Sequence, residues 1–429
     1  MAQRFCQAGH DIVSSIEQAD VHIVNSCAVT HVAARDSRKI ARRGHRLSTG
    51  IKTILTGCYV EAEPKEAARL AGVDLIVPNS DKDHILERFH EAFPEFDPSA
   101  RTDPAKAGLY RPISISPSRP LVKIEDGCNM KCSFCIIPST RGRQRSRDPA
   151  EVVTEIRALE EAGFREVVIT GVQISSYRWG EAKLIDLVRS ILAETESIRL
   201  RLTSIAPWQF EDDLLETFAS GRVCRHFHLS LQSGCQETLQ RMRRPYSPDQ
   251  FRRLAERIRS VAPRVALTTD IIVGFPGETD DEFQQSSEFA AHIGFARMHV
   301  FPYSRRFNTE ASHYPDPVSH ATKRDRMNRM LEIARQAQRR FQDSNLGTEA
   351  RVLWENSKSE YSCGTSDNYL PVRVRSLQTP RGELSRVLLT GSDEQGMVGE
   401  LVSDAAPSSM RVREAQLDAH ITSVGEQGI

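Results

Sequence analysis

The 429-residue chain has no excess of charge of either sign, since 57 Lys and Arg balance 57 Asp and Glu. No overall field draws it to nucleic acid, so any RNA binding has to come from local basic patches. Cysteine is sparse, at nine in the whole chain. That excludes a disulfide scaffold, and the short local groupings of the thiols suggest metal chemistry in a reducing compartment. No apolar run approaches the ~20 residues that a membrane span needs. The first thirty residues carry no basic-then-apolar leader. The expectation is a cytoplasmic protein without a membrane partner, built of roughly two to four domains.

What is present is organised around Cys128-Asn-Met-Lys-Cys132-Ser-Phe-Cys135, a C-x₃-C-x₂-C run just after the apolar segment Leu121-Val-Lys-Ile124. Three soft thiolates on one tight loop suit three irons of a [4Fe–4S] cube. Asn129, Met130, Lys131, Ser133 and Phe134 offer no fourth thiolate, so one iron keeps an open site. Such an iron can chelate the amino and carboxylate groups of S-adenosylmethionine, and the cube can pass an electron to the sulfonium. Phe134 suits an apolar wall that keeps water off a strongly reducing cluster. The alternative is a structural zinc loop. Zinc normally takes two C-x₂₋₄-C pairs, or a Cys pair with a His pair, and no partner pair follows at that spacing.

Residues 1–95 alternate helical and strand signals, which predicts a parallel α/β domain. Strands are expected at 21–24, 53–56 and 74–77, with a basic helix after the first (Arg35, Arg38, Lys39, Arg42, Arg43). The first strand runs into Asn25-Ser-Cys27 and the second into Gly57-Cys58. In open parallel sheets ligands sit outside the carboxyl ends of the strands, which makes Cys27 and Cys58 either ligands or two buried structural cysteines. Cys6 lies inside an opening helix and reads as packing. Residues 96–117, rich in Pro, Ser and Ala, read as a linker.

From 118 to 344 the pattern predicts strands over 121–125, 166–170, 198–203, 226–231, 265–273 and 296–301. Helices are expected over 149–162, 181–195, 248–260, 280–292 and 319–344. Six βα units in one direction make a partial parallel barrel with its site at the strand carboxyl ends. Gly171 and Gln173 follow the second strand, Ser204 the third and Gln232 the fourth, while Asp270 lies in the fifth. Glycine there lets backbone approach a nucleotide, and Gln, Ser and Asp supply hydrogen bonds to ribose and amino-acid groups; singly, each is more often a turn or cap, and it is their recurrence at strand ends that raises the functional reading. Arg141, Arg143, Arg145 and Arg147 form either a grip on phosphates or a carboxylate, or a solvated basic face. The Arg-rich helix around Lys323–Arg340 reads as an exposed face, with contact to RNA backbone as the alternative. Residues 345–404 turn to short β runs at 350–354, 370–374, 386–390 and 399–402, the look of a small β-barrel, and 405–429 reads as a frayed tail.

In this order the parts resemble the radical-SAM methylthiotransferases over nearly the whole chain. The resemblance rests on Asn25-Ser-Cys27-Ala-Val-Thr30, Thr56-Gly-Cys58-Tyr59, Gly127-Cys128 through Cys135 with Ile136-Ile-Pro138, and Arg141-Gly142. It extends through Leu231-Gln-Ser-Gly234, Asp270 through Glu278 and Phe301-Pro-Tyr-Ser304. Within the family the chain is most similar to the branch acting on N6-threonylcarbamoyladenosine of tRNA, beside the anticodon.

The resemblance implies that Cys128, Cys132 and Cys135 hold the cluster that splits S-adenosylmethionine, giving a 5′-deoxyadenosyl radical that takes the hydrogen from adenine C2. An aromatic C–H is too weakly acidic for a side-chain base working near neutral pH. It also implies a second, auxiliary [4Fe–4S] cluster carrying a methylated sulfur, a TRAM-like RNA-binding barrel at 345–404, a flavodoxin- or ferredoxin-like electron donor and a sulfur donor. Cys27 and Cys58 match two of the three auxiliary ligands. The third stands in a Gly-Cys-x-x-Asn segment after an opening strand; this chain starts beyond that point and Cys6 does not replace it, so a translation start further upstream is expected. Ala206 stands where relatives usually carry Glu, and Asn308 where they often carry Gly. Two further functions remain open: a methylthiotransferase acting on a ribosomal-protein side chain, and a non-catalytic RNA-binding relative.

Overall fold

The computed structural model describes residues 1–13, 15–48, 50–97, 118–376 and 379–402. All but two residues of the expected linker, and the whole of the expected tail, lie outside these.

Three parallel strands, Val21–Ser26, Lys52–Gly57 and Leu75–Val77, make a sheet in that order. The run Thr53-Ile54-Leu55-Thr56, β-branched but for Leu55, is wholly buried, as a central parallel strand covered on both faces should be. Ile54 joins Phe5, Val77, Ile85 and Phe89 on one face. Its neighbour Leu55 joins Val24, Ala28, Cys58 and Tyr59 on the other. Helix His31–Leu47 follows the first strand, capped by Thr30, whose Oγ1 accepts from the Ala33 N–H at 3.1 Å. It buries only small residues, Ala34, Ser37, Ala41 and Gly44, so it lies close to the sheet. A Cβ on Gly44 would stand 2.7 Å from Thr53 Oγ1.

Six parallel strands follow in chain order. Leu121–Lys123, Glu166–Thr170 and Arg199–Leu202 form one hydrogen-bonded group, and His226–His228, Ala266–Val273 and Arg297–Pro302 the other. Parallel bridges Leu200↔Val223 and Ile205↔Leu229 join the groups into one curved, partial barrel. Helices Pro149–Glu161, Leu184–Glu194, Pro248–Val261, Asp280–Ile293 and His320–Asp343 connect or flank the strands. Two strands are shorter than the apolar pattern suggests. Glu125–Asp126 leaves the barrel to pair antiparallel with Arg145–Ser146. Beyond His228 the fourth strand keeps only single bridges through Leu229 and Gln232. The segment expected as the start of helix 181–195 is instead a hairpin, Arg178–Trp179 against Ala182–Lys183.

Five strands close the C-terminal barrel: Glu349–Lys358, Tyr361–Ser366, Pro371–Val374, Gly396–Leu401 and Leu384–Asp393, in spatial order. Trp354, Val352, Val372, Val387, Leu389 and Met397 fill it. It docks on the amino ends of the central strands through buried charge. Glu166 accepts from the Nε atoms of Arg199 and Arg201, both at 2.7 Å. The two guanidiniums then reach Arg351 O and Ser366 O in the small barrel, each at 2.9 Å. The α/β class and the three-part order expected from the sequence are what the structure contains.

Candidate functional site

The cysteine loop is held from three directions. Gly127 opens it at φ +77°, where a Cβ would stand 2.2 Å from Arg143 O; only glycine fits this crossing. Cys128 N–H donates to Gly142 O at 3.1 Å. In the middle of the loop, buried Ser133 donates from N–H to Met242 O at 3.1 Å and from Oγ to Arg241 O at 2.7 Å. Its carbonyl accepts from the Ala311 N–H at 2.8 Å. Ile136, next after Cys135, packs into the N-terminal core. The loop is thus a junction of two domains, and its thiols are fixed by backbone bonds that need no metal.

Cys128, Cys132 and Cys135 line one pocket with a cavity of about 200 Å³, part of it open to solvent. Burial pushes the Cys135 thiol up to about 12 and raises that of Cys128, so both stay protonated unless a cation takes the proton's place. Among the described residues no three Cys, His, Asp or Glu side chains lie close enough to share one metal ion. The three thiols instead surround a cavity, as ligands to separate irons would, and the lining holds no fourth thiol. This donor set fits a cube with one iron left open. Phe134 closes one wall, edge-on to Phe275 with ring centroids 6.5 Å apart.

Gln173, Ser204, Gln232 and Asp270 line the same pocket. Ser204 and Gln232 hold left-handed backbone, at φ +55° and +67°, a conformation that non-glycine residues rarely adopt and that clusters at functional sites. Gln232 is locked there by its N–H to Asp270 O at 2.8 Å and by its carbonyl accepting from Ile272 N–H at 2.9 Å. The Asp270 carboxylate lies 3.2 Å from His228 Nε2. Gly171 is not part of the lining, though its neighbours Val172 and Gln173 are. A Cβ on Gly171 would stand 2.2 Å from Glu125 Oε1. Glu125 is fully buried; its Oε1 accepts from the Gln173 N–H at 2.6 Å, while Oε2 has no hydrogen-bond partner. Burial pushes its pKa up to about 7.

Sequence reasoning missed Glu125 and also Arg244 and Trp208, which line the pocket. The Arg244 guanidinium lies 4.5 Å over the Trp208 ring, and its Nη1 donates to Cys132 Sγ at 3.3 Å. The one available signal was Arg243-Arg244-Pro245-Tyr246, soon after Gln232. Ala206 also lines the pocket, so a carboxylate there would have faced it. Asn308 sits at φ +61°, which explains why glycine suits that position.

In the N-terminal domain, Ser26 and Gly57 are register partners, so Cys27 and Cys58 leave adjacent strands at the same level. Cys27 is exposed and Cys58 buried. Arg141 ties Cys58 to the cysteine loop's domain, its Nε donating to Cys58 Sγ at 3.2 Å and its Nη1 lying 3.4 Å from Asp126. Cys6 is half-buried in helix Ala2–Gln7 and does not stand at the end of a strand of the sheet. Arg145 is exposed. Arg147 is engaged by Glu155 at 2.7 Å and Lys123 O at 3.0 Å, away from the pocket lining.

Residues 122–290 match the Radical SAM superfamily and residues 1–78 the Uncharacterized protein family UPF0004. The chain is 30% identical to the threonylcarbamoyladenosine tRNA methylthiotransferase MtaB of Bacillus subtilis (strain 168), over 96% of this chain and 95% of that one. It is 32% identical to the MtaB of Aquifex aeolicus (strain VF5), over 91% and 95%. A tRNA-2-methylthio-N(6)-dimethylallyladenosine synthase of Methylacidiphilum infernorum (isolate V4) is 30% identical over 86% and 84%. Among solved structures, the radical S-adenosylmethionine methyltransferase TsrM from Kitasatospora setae matches with a TM-score of 0.52 at 17% identity, covering 68% of this chain and 65% of that one, which speaks to fold alone.

Proposed function

Because the chain belongs to the radical-SAM tRNA methylthiotransferases, we propose that its substrate is N6-threonylcarbamoyladenosine beside the anticodon and its product the 2-methylthio derivative. Cys128, Cys132 and Cys135 are the ligands of the [4Fe–4S] cube. When bound, that cube supplies the electron that splits S-adenosylmethionine. Gln173, Ser204, Gln232 and Asp270 orient the cosubstrate: strained backbone at 204 and 232 presents polar groups to the cavity, and Asp270 offers a carboxylate. Phe134 and Phe275 exclude water from the thiols. Arg244 holds positive charge against the Cys132 sulfur.

Cys27 and Cys58 supply two ligands to an auxiliary [4Fe–4S] cluster that carries the sulfur. The register pairing beside them, and the Arg141 bridge from Cys58 to the radical site's domain, support this. Arg145, exposed beside the cysteine loop, takes a substrate phosphate, while Arg141 and Arg147 are engaged within the protein. The boundaries that go with this reading are 1–95 for the methylthiotransferase domain, 118–344 for the radical-SAM barrel and 345–404 for a TRAM-like barrel that binds tRNA. A flavodoxin- or ferredoxin-like protein is the reductant, a separate sulfur donor recharges the auxiliary cluster, and the enzyme works in the cytoplasm. No described helix is long and apolar enough to cross a membrane.

The observation that carries the proposal is the open three-thiol pocket, in a chain 30% and 32% identical to named threonylcarbamoyladenosine enzymes over more than nine-tenths of its length. Bulk tRNA from cells lacking the gene, digested and read by mass spectrometry, should have lost 2-methylthio-N6-threonylcarbamoyladenosine. Unchanged nucleosides refute it, and loss of a methylthio-dimethylallyl nucleoside instead moves the substrate to the sister branch.

A further inference from the structure

Alternate arginines after the cysteine loop have different fates. Arg141 pairs with Asp126 and Arg147 with Glu155. Between them Arg143 and Arg145 are exposed and, among the described residues, have no ion-pair partner; neither does exposed Lys131 in the loop itself. The segment carrying them is braced. Asn129 Oδ1 accepts from the Gln144 N–H at 3.2 Å, and the Gln144 amide donates to Ser146 Oγ at 3.3 Å. Ser146 Oγ in turn accepts from the Arg178 N–H at 3.0 Å.

That last bond fixes the hairpin Arg178–Trp179 against Ala182–Lys183 to the basic segment. Gly180, first of the two turn residues, has φ +57°, the geometry that lets a two-residue turn match strand twist. The result is a rigid arm with a large aromatic, Trp179, 46% exposed. A singly exposed tryptophan is no anomaly in itself; what sets this one apart is the row of unpaired cations on the segment its arm is bonded to.

We propose that Trp179 stacks on an unpaired nucleotide of the tRNA, while Lys131 on the cysteine loop and Arg143 and Arg145 on the segment bonded to the hairpin hold the phosphates on either side. This rests on the tRNA reading above and adds residues to it. Chemistry at adenine C2 needs the base out of its stack. Splayed single-stranded bases are held by aromatic faces, with cations along the backbone. Charge complementarity favours a polyanion, and the ring favours one with π faces.

The test uses the full-length, anaerobically reconstituted enzyme and a fluorescent anticodon stem-loop RNA, with the dissociation constant measured across salt concentrations. Trp179→Leu, which keeps apolar bulk but no π face, should weaken binding about 10- to 100-fold. Trp179→Phe should stay within about threefold of the parent, since a π face remains. Replacing Arg143 and Arg145 together by Gln should flatten the slope of log affinity against log salt by about 0.7 per lost phosphate. A Leu variant that binds as tightly as a binding parent overturns the stacking role while leaving the tRNA reading intact. A parent that binds no tRNA overturns both. Arg variants that bind RNA normally but accept electrons more slowly from flavodoxin would reassign the patch to an acidic protein partner and overturn the proposal.

Discussion

The two ends of the central barrel use the same kinds of residue to opposite purpose. At the amino end, Glu166 is completely buried against two guanidiniums, and those guanidiniums spend their remaining donors on carbonyls of the C-terminal barrel. At the carboxyl end, one carboxyl oxygen of Glu125 has no hydrogen-bond partner, two residues hold strained backbone, and three thiols face a cavity. Satisfied buried charge reads as construction, and unsatisfied or strained polar groups read as a site. The comparison also separates two arginines that look alike in the sequence. Arg201 is locked into the floor, while Arg244 lies on Trp208 with one nitrogen against a thiol.

The sharpest way to break this contrast is at the thiols. Cys132→Ala should leave the fold intact, because loop anchoring runs through Ser133 and the backbone. S-adenosylmethionine cleavage should fall well beyond the roughly 10- to 100-fold that loss of an outer-sphere partner costs. Arg244→Ala should fall within that smaller range and keep its iron. Iron and sulfide analysis beside a cleavage assay separates the two, and a Cys132→Ala variant that still cleaves would remove the ligand assignment.

At the opposite end the effect should be on stability, not chemistry. Glu166→Ala strands two buried guanidiniums, and breaking such a group costs about 3–5 kcal/mol. Burial alone would raise the Glu166 pKa, but Arg201 and Arg199 hold it down to about 2. A depressed carboxylate contributes stability that is present above its unfolded pKa. Here that contribution should fade as pH drops from about 4.5 toward 2. Urea unfolding across this window, parent against variant, checks the sign: the gap between them should narrow on acidification.

What the sequence disclosed follows from how local each signal is. The cysteine loop is an eight-residue spacing, and the parallel strands announce themselves by buried, mostly β-branched runs such as Thr53-Ile54-Leu55. Strand Tyr361–Ser366 escaped because Ser-Cys-Gly-Thr shows no apolar alternation. Its Gly364 is required by the close approach of Leu353 O, 2.2 Å from where a Cβ would be. Arg244 and Trp208 escaped because they converge with Cys132 only in three dimensions, across segments over a hundred and over seventy positions away. Glu125 and Glu166 look alike in sequence, each a carboxylate beside an apolar run. Burial raises both, but two guanidiniums pull Glu166 down to about 2, whereas the backbone N–H at Glu125 only partly offsets burial and leaves it at about 7.

That difference gives a prediction of intermediate size. With its pKa raised to about 7, Glu125 contributes most below about pH 4.5, and its contribution is lost as pH rises through 7. Glu125→Gln mimics the protonated acid, so it should match the parent near pH 4.5. It should become more stable than the parent by up to about 3 kcal/mol at pH 8. The crossing runs opposite to that at Glu166. Parent and variant with parallel urea midpoints from pH 5 to pH 8 would mean the buried oxygen is solvated, and the two ends would differ less than their geometry suggests.

The smallest effect distinguishes strain that serves the site from strain that does not. Asn308 and Gln232 share left-handed backbone, at φ +61° and +67°, but only Gln232 lines the pocket. Glycine relieves the conformational cost at either position, by roughly 0.5–1 kcal/mol for a residue as tolerant as Asn. Asn308→Gly should therefore raise the urea midpoint slightly and leave S-adenosylmethionine binding unchanged. Gln232→Gly should gain similar backbone relief and yet bind the cosubstrate more weakly, because the amide is lost from the cavity wall. Equilibrium dialysis on both variants decides it. If Gln232→Gly binds like the parent, its strain belongs with that of Asn308, to the turn and not to the ligand.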